Sequence, residues 1–198
     1  EGFLAAQPGE NLPVLAVFNN EEVGSNTRQG ADSTFLTDVL ERIAHGCGLD
    51  SEGWKAAVAN SFMVAADNAH AIHPAPPEYA DKGEFPVLGG GIVIKYNANQ
   101  RYTSDAVSAG IFRRICESAG VPVQYYANRA DMPGGSTLGN ISNTQVSLNA
   151  VDIGLAQLAM HSPFETAGAA DTASLVKALT AFFEHSLVAE RDGVYRFL

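Results

Sequence analysis

The sequence predicts an α/β layer fold, with a mixed, largely parallel sheet flanked by helices. Short, nearly continuous apolar runs recur at 12–18, 61–66, 92–96, 123–126 and 150–155, the pattern of strands covered on both faces. Segments with apolar residues at helical spacing stand among them, at 33–44, 105–119 and 172–187. Alternation of the two kinds along one chain implies helices layered on a sheet.

The elements follow in order. The run LPVLAVF at 12–18 reads as a buried strand, with Pro13 tolerated at its start. Over 33–44, Leu36, Val39, Leu40 and Ile43 share one helical face, and Gly46 and Gly48 stop the helix. SFMVAA at 61–66 and IVIKY at 92–96 are the next strands. Over 105–119, Val107, Ile111 and Ile115 recur at helical spacing, and Gly120-Val121-Pro122 ends that helix. VQYY at 123–126 and AVDIGL at 150–155 complete the strands. The last helix spans 172–187, with Asp171 as its N-cap and Leu175, Leu179, Phe182 and Phe183 as its buried stripe. The Pro- and Gly-rich stretch 73–91 reads as a long surface loop near a site. No repeat, low-complexity tract or linker divides the chain, so it is one domain or part of one.

Composition narrows the function classes. The 198 residues include 12 basic and 22 acidic side chains, a net charge of −10 with His neutral. That sign argues against nucleic acid or an anionic membrane surface as partner. No apolar run approaches the roughly 20 residues of a membrane span. Cys47 and Cys116 make neither a disulfide framework nor a CxxC metal site, and read as thiols in a reducing, cytoplasmic compartment.

Three apolar runs lead into residues with metal-ligand chemistry: Asn19-Asn20-Glu21-Glu22 after the first, Asp67-Asn68-Ala69-His70 after the second, and Met160-His161-Ser162 beyond the last. Ligands collect outside strand ends in open α/β sheets, and a His among carboxylates suits a zinc or manganese pair. Each also has an ordinary reading. Adjacent glutamates are usually solvated, Asp67 would serve as a turn cap, and His161 as a satisfied core histidine. Their shared placement after apolar runs is what joins them. The glycine-rich DMPGGSTLG at 131–139 reads as a tight pocket-lining loop. It lacks the Lys-Ser/Thr ending of a P-loop and the spacing of a dinucleotide fingerprint, and no GxSxG elbow occurs.

The runs NNEEVGS (19–25), QGA (29–31), ADNAHAIHP (66–74), VIKYNANQRY (93–102), NRADMPGGSTLGNIS (128–142) and VDIGLAQLAMHS (151–162) resemble, in order, the aspartyl aminopeptidase family. That family includes the vacuolar aminopeptidase I type and belongs to the co-catalytic zinc exopeptidases. The resemblance implies two divalent ions, zinc with manganese or cobalt as alternatives. It makes Glu21 the general base, Glu22 and His161 ligands of one ion, and Asp67 a ligand of the other. His70, Lys95 and Tyr102 are then substrate contacts, Lys95 facing an acidic side chain and Tyr102 the scissile carbonyl. The implied activity is removal of the N-terminal residue, acidic or neutral, from peptide substrates by a homo-oligomeric enzyme.

The resemblance also implies what lies elsewhere. Members carry an earlier His ligand and a bridging Asp, but residues 1–11 contain neither His nor Asp. By this reading the chain is the C-terminal part of the catalytic domain, without the N-terminal part or the dimerisation insert, and is inactive alone. The alternatives are a non-catalytic binding or assembly module that keeps the fold, and a hydrolase using Cys116 or a serine as nucleophile.

Overall fold

The computed structural model describes residues 1–73, 83–129, 131 and 134–198. Residues 74–82 of the loop expected at 73–91 therefore lie outside the described residues, as does part of the glycine-rich segment.

Two strands rich in β-branched side chains form the middle of the sheet: β3 (Ile92–Tyr96) and β5 (Asn149–Leu158). They run antiparallel, with Ile92 opposite Leu155 and Ile94 opposite Ile153. β1 (Phe62–Ala66) lies parallel to β5 on its other side, and β4 (Val123–Ala127) parallel to β3, giving the order β1-β5-β3-β4. The short β2 (Ala69–His70) and β6 (Thr166–Ala167) extend the pairing along the far half of β5. The sheet is thus mixed, as expected.

The period-2 alternation of a strand sorts β5 into two faces. Val151, Ile153 and Leu155, with Ile92 and Ile94, pack against the helices: Ala109, Phe112 and Cys116 of α4 (Ala106–Ser118) and Ala178 of α6 (Ala169–Glu184). Each large side chain buried there contributes about 1.5–3 kcal/mol. The intervening residues Asp152, Gly154 and Ala156, with Val93 and Lys95 of β3, occupy the other face, where Val93 and Ala156 cluster with Ala69, Tyr102 and Tyr126. The site is built on that second face.

α4 starts where Asp105 caps it: the Asp105 carboxylate accepts from the Ser108 N–H at 2.7 Å while the Ser108 hydroxyl accepts from the Asp105 N–H at 3.0 Å. Asp171 is not the N-cap of the last helix; Gly168 is, because the helix starts earlier. Asp171 sits buried in the first turn and accepts from the Gly89 and Gly91 N–H groups, at 2.7 and 2.9 Å, tying the approach to β3 onto α6. α6 also stops sooner than expected, and a hairpin follows, β7 (Leu187–Arg191) and β8 (Val194–Phe197), which packs Leu187, Tyr195 and Phe197 against Ile111 and Ile115. Four helices complete the fold: α1 (Gly2–Ala5), α2 (Phe35–Gly46), α3 (Ser51–Ala59) and α5 (Leu138–Ser142).

The run at 12–18 is the one expected strand that does not form. Among the described residues no strand pairs with it, and Leu12, Leu15 and Val17 are 68%, 58% and 77% exposed. A strand needs a ladder partner for its backbone groups, and apolar content alone does not provide one. The stripe of α2 is likewise only half covered: Leu36 is buried, but Val39 and Ile43 are exposed.

Candidate functional site

Asp67 leaves β1 and is held at once by the sheet, its N–H donating to the Ile153 carbonyl at 3.0 Å. The chain from Asp67 to Ala69 lies so close over β5 that a Cβ at position 154 would collide with the Asp67 carbonyl. Glycine at 154 is therefore a condition for placing Asp67. Lys95 reaches the same turn from β3. Its ammonium donates to the Asp67 and Asn68 carbonyls at 3.2 and 3.3 Å and lies 3.9 Å from the Asp67 carboxylate. It also sits 5.0 Å above the Tyr102 ring. Lys95 is 1% exposed, so the cation expected to meet substrate is turned onto the protein's own carbonyls.

His70 lies in β2 beside Gln157 of β5, its ring 6.3 Å from that of Tyr126. Tyr102 is buried, 6.4 Å from the Tyr126 ring. These four residues are held by regular structure or by the face beneath it.

Glu21 and Glu22 sit instead in a knot of turns. The Asn19 N–H donates to the Gln29 carbonyl, the Gly24 N–H to Glu21 and the Ser25 N–H to Asn20, each at 2.9 Å. Asn20 and Ser25 both take left-handed backbone, at φ 60°, a conformation costing a side-chain-bearing residue about 1–2 kcal/mol. The Ser25 hydroxyl is buried without a hydrogen-bond partner among the described residues. His161 also sits at positive φ, 67°, two residues after Ala159 at 54°. The two loops meet: His161 Nε2 lies 3.0 Å from Glu22 Oε2, although both side chains are more than half exposed.

The electrostatics follow from this gathering. Burial raises the Glu21 carboxyl above its ordinary value, and the charges of Asp67 and Glu22 push the same way against His161 and Lys95. Burial lowers His70, reinforced by His161 and Lys95, so its ring favours the neutral form. Burial likewise lowers Lys95, while Asp67, Asp152 and Glu21 oppose that and favour its charge. Burial pushes the Tyr102 hydroxyl well above the ordinary tyrosine range, with Tyr126, Asp152 and Asp67 adding to it. Tyr102 is thus a donor and not a phenolate.

The structure therefore brings Glu21, Glu22, Asp67, His161 and Lys95 into one electrostatic group, with His70 and Tyr102 along its edge. As a metal centre the set is partial. Two donors on one tetrahedral zinc stand about 3.3 Å apart, and the Glu22–His161 pair is close to that separation. Among the described residues, however, no three His, Cys, Asp or Glu side chains gather closely enough to hold an ion unaided. Two shallow concavities at the starting ends of β1 and β5, both lined by Asn149 and Tyr195, contain none of these side chains. Sequence reasoning passed over Asp152, which is fully buried, electrostatically coupled to Lys95 and Tyr102, and hydrogen-bonded by Thr103 and Thr137. A lone carboxylate inside an apolar strand run was the signal.

A mixed sheet packed on helices, with carboxylates and an imidazole brought into one electrostatic group, defines an α/β protein with a candidate metal-binding site. The chain belongs to the aminopeptidase I zinc metalloprotease family (M18), which its sequence matches over residues 4–183. It is 46% identical over 178 residues to a probable M18 family aminopeptidase 2 of Clostridium acetobutylicum, covering 90% of this chain and 41% of that protein. Among solved structures it is similar to one from the complex of Ape4 and Nbr1, with a TM-score of 0.80 and 38% identity over 84% of this chain and 31% of that one. The mApe1 dodecamer of S. cerevisiae gives 0.72 and 32%, covering 84% of this chain and 36% of that one. The chain thus spans well under half the length of these proteins.

Proposed function

We propose that this chain carries the general base and part of the metal shell of an aminopeptidase that removes the N-terminal residue of peptides. The observation that carries the reading is the meeting of two loops, where His161 Nε2 lies 3.0 Å from Glu22 Oε2 next to Glu21 in the chain. In this reading Glu22 and His161 hold one divalent ion and Asp67 holds the second, with zinc the metal of the family and manganese or cobalt as substitutes. The ions supply, when bound, an acidified water and positive charge for the developing oxyanion.

The chain's own residues divide the remaining work. Glu21 takes the proton of the attacking water and passes it to the leaving amine. Tyr102, kept protonated by burial, donates to the scissile carbonyl oxygen as it gains charge. Neutral His70 lines the substrate side. Lys95 places a positive charge beneath the site, which supports a preference for Asp or Glu at the peptide's N-terminus, with neutral residues also accepted. Its ammonium is engaged by the 67–68 carbonyls, so an acidic side chain would meet its field and not a free donor.

A second reading, a non-catalytic binding or assembly module, is favoured by the absence of a three-donor cluster among the described residues. We place the protein in the cytoplasm because Cys47 and Cys116 are unpaired. A homo-oligomer is supported by the dodecamer named for the yeast neighbour.

Assay of Asp-, Glu- and Leu-linked chromogenic substrates with zinc or manganese tests the reading. The chain alone is expected to stay near background, because its metal shell is partial. Extended to the length of its relatives it should turn over, and Glu21→Gln should lower kcat about 10²–10⁴-fold while leaving zinc binding intact. Undiminished turnover in Glu21→Gln, or none in the extended protein on any of the three substrates, would overturn it.

A further inference from the structure

β5 crosses the interior with one ionisable residue, Asp152, and that side chain is 0% exposed. A buried carboxylate is tolerated only where donors satisfy it, and here the donors come from loops and not from neighbouring strands. Oδ2 accepts from the Thr103 N–H at 2.6 Å and from the Thr103 hydroxyl at 2.7 Å. Oδ1 accepts from the Thr137 hydroxyl at 2.7 Å. The Ser104 hydroxyl accepts from the Asp152 N–H at 2.9 Å and donates to its carbonyl at 3.3 Å. Position 139 must be glycine, because a Cβ there would run into the same carboxylate.

The two bound segments are remote in sequence and both border the site. Thr103 follows Tyr102, whose ring lies under the Lys95 ammonium. Thr137 closes the glycine-rich segment and opens α5, and a second tie joins the segments where Arg101 donates to the Ser136 hydroxyl at 3.1 Å. A carboxylate needed only for packing would have no reason to recruit both. The opposite face of β5 does its packing with Val151, Ile153 and Leu155.

We propose that Asp152 is a positioning residue of the site, whose two oxygens hold Tyr102 and the 134–137 segment in fixed relation to each other over the face that carries Lys95 and Asp67. Its meaning for catalysis rests on the aminopeptidase reading; the clamp itself does not.

The test is a double-mutant cycle read by 19F NMR on the chain labelled with 3-fluorotyrosine, the Tyr102 resonance being assigned by its loss in Tyr102→Phe. Thr137→Val, nearly isosteric, removes one donor from Asp152 and touches nothing at Tyr102. It should move the Tyr102 resonance by more than a linewidth, and add nothing in an Asp152→Ala background, which lacks any side-chain partner for Thr137. If Asp152→Ala does not fold, Thr103→Val takes its place, and the two threonine substitutions should be non-additive. An unmoved Tyr102 resonance in Thr137→Val, or full additivity of the two changes, would overturn the clamp. In the extended protein Thr137→Val should lower kcat roughly tenfold with KM little changed, since misplacement far from the chemistry acts on the transition state. Absence of turnover in every preparation would sink the aminopeptidase reading alone, because the NMR cycle needs none.

Discussion

The site has two halves built in different ways. Asp67, His70, Lys95 and Tyr102 rest on the sheet, where β-pairing, the glycine at 154 and the buried Asp152 fix their backbones. Glu22 and His161 ride on loops that turn through left-handed residues and meet in one side-chain contact, with 70% and 62% of their side chains exposed. The sheet half is preorganised by the same free energy that folds the protein. An exposed ion pair contributes only about 0–1 kcal/mol, so the loop half has little beyond its turns to hold it. Substitutions in the two halves should therefore differ in kind: in the first they should cost stability, and in the second chiefly ligand binding.

The largest effect is expected at the seam of the sheet half. In Gly154→Ala the new methyl meets the Asp67 carbonyl, and β5 is paired on both sides and cannot yield. Overpacking of this kind costs about 1–3 kcal/mol, and thermal unfolding should shift down by several degrees, roughly 2–4 °C per kcal/mol at this length. An unchanged Tm would mean that the 67–69 turn is as loose as the loops it is contrasted with.

A smaller effect, dependent on pH, probes the helix-packed face of the same sheet. Burial lifts the Cys116 thiol to about 12, above the value of about 8.5 for a free cysteine. The folded state holds this proton more tightly than the unfolded chain, so the contribution is fully present below the unfolded pKa. It is lost as pH rises from that value through the folded one. At pH 10 the loss should reach about 2 kcal/mol, and Cys116→Ala should remove that slope from a urea titration. Cys47, exposed, should react with a thiol reagent at pH 8 in the native protein, whereas Cys116 should react only after unfolding.

The same contrast explains what could be read from the sequence. β1, β3, β4 and β5 were legible within a few residues because continuous β-branched and apolar runs bury on both faces. The run at 12–18 carries the same signal and forms no strand, because pairing depends on a neighbour that local composition does not report. α3 was missed since it buries no residue fully and so carries no stripe. The β7–β8 hairpin was missed although Asp192-Gly193 between two alternating segments is a strong turn signal. Among the candidate site residues, motif resemblance singled out Glu21, Glu22, Asp67 and His161, which the structure brings into one electrostatic group. It did not show that Lys95 would turn inward onto carbonyls, since side-chain direction depends on Asp67 and Gly154 arriving from other strands. Asp152 stood within a quoted motif without a role, because its partners, Thr103 and Thr137, lie far from it along the chain.

The smallest change in stability is expected in the loop half, and it separates folding from binding there. Without added metal, His161→Ala should leave the unfolding free energy within about 0.5 kcal/mol of the parent, since an exposed pair is removed from a loop that packs little. Zinc should then distinguish the two proteins. A ligand at ten times its Kd stabilises the state that binds it by about 1.4 kcal/mol, so millimolar zinc should raise the Tm of the parent and leave His161→Ala unmoved. Glu22→Gln should behave as His161→Ala does, because the two donors would serve one ion. Asp67→Asn should differ, losing stability even without zinc, because its carboxylate faces the buried Lys95 ammonium at 3.9 Å. Equal losses in all three without metal would erase the distinction between the halves. A zinc response that survives in His161→Ala would remove Glu22 and His161 as partners on one ion.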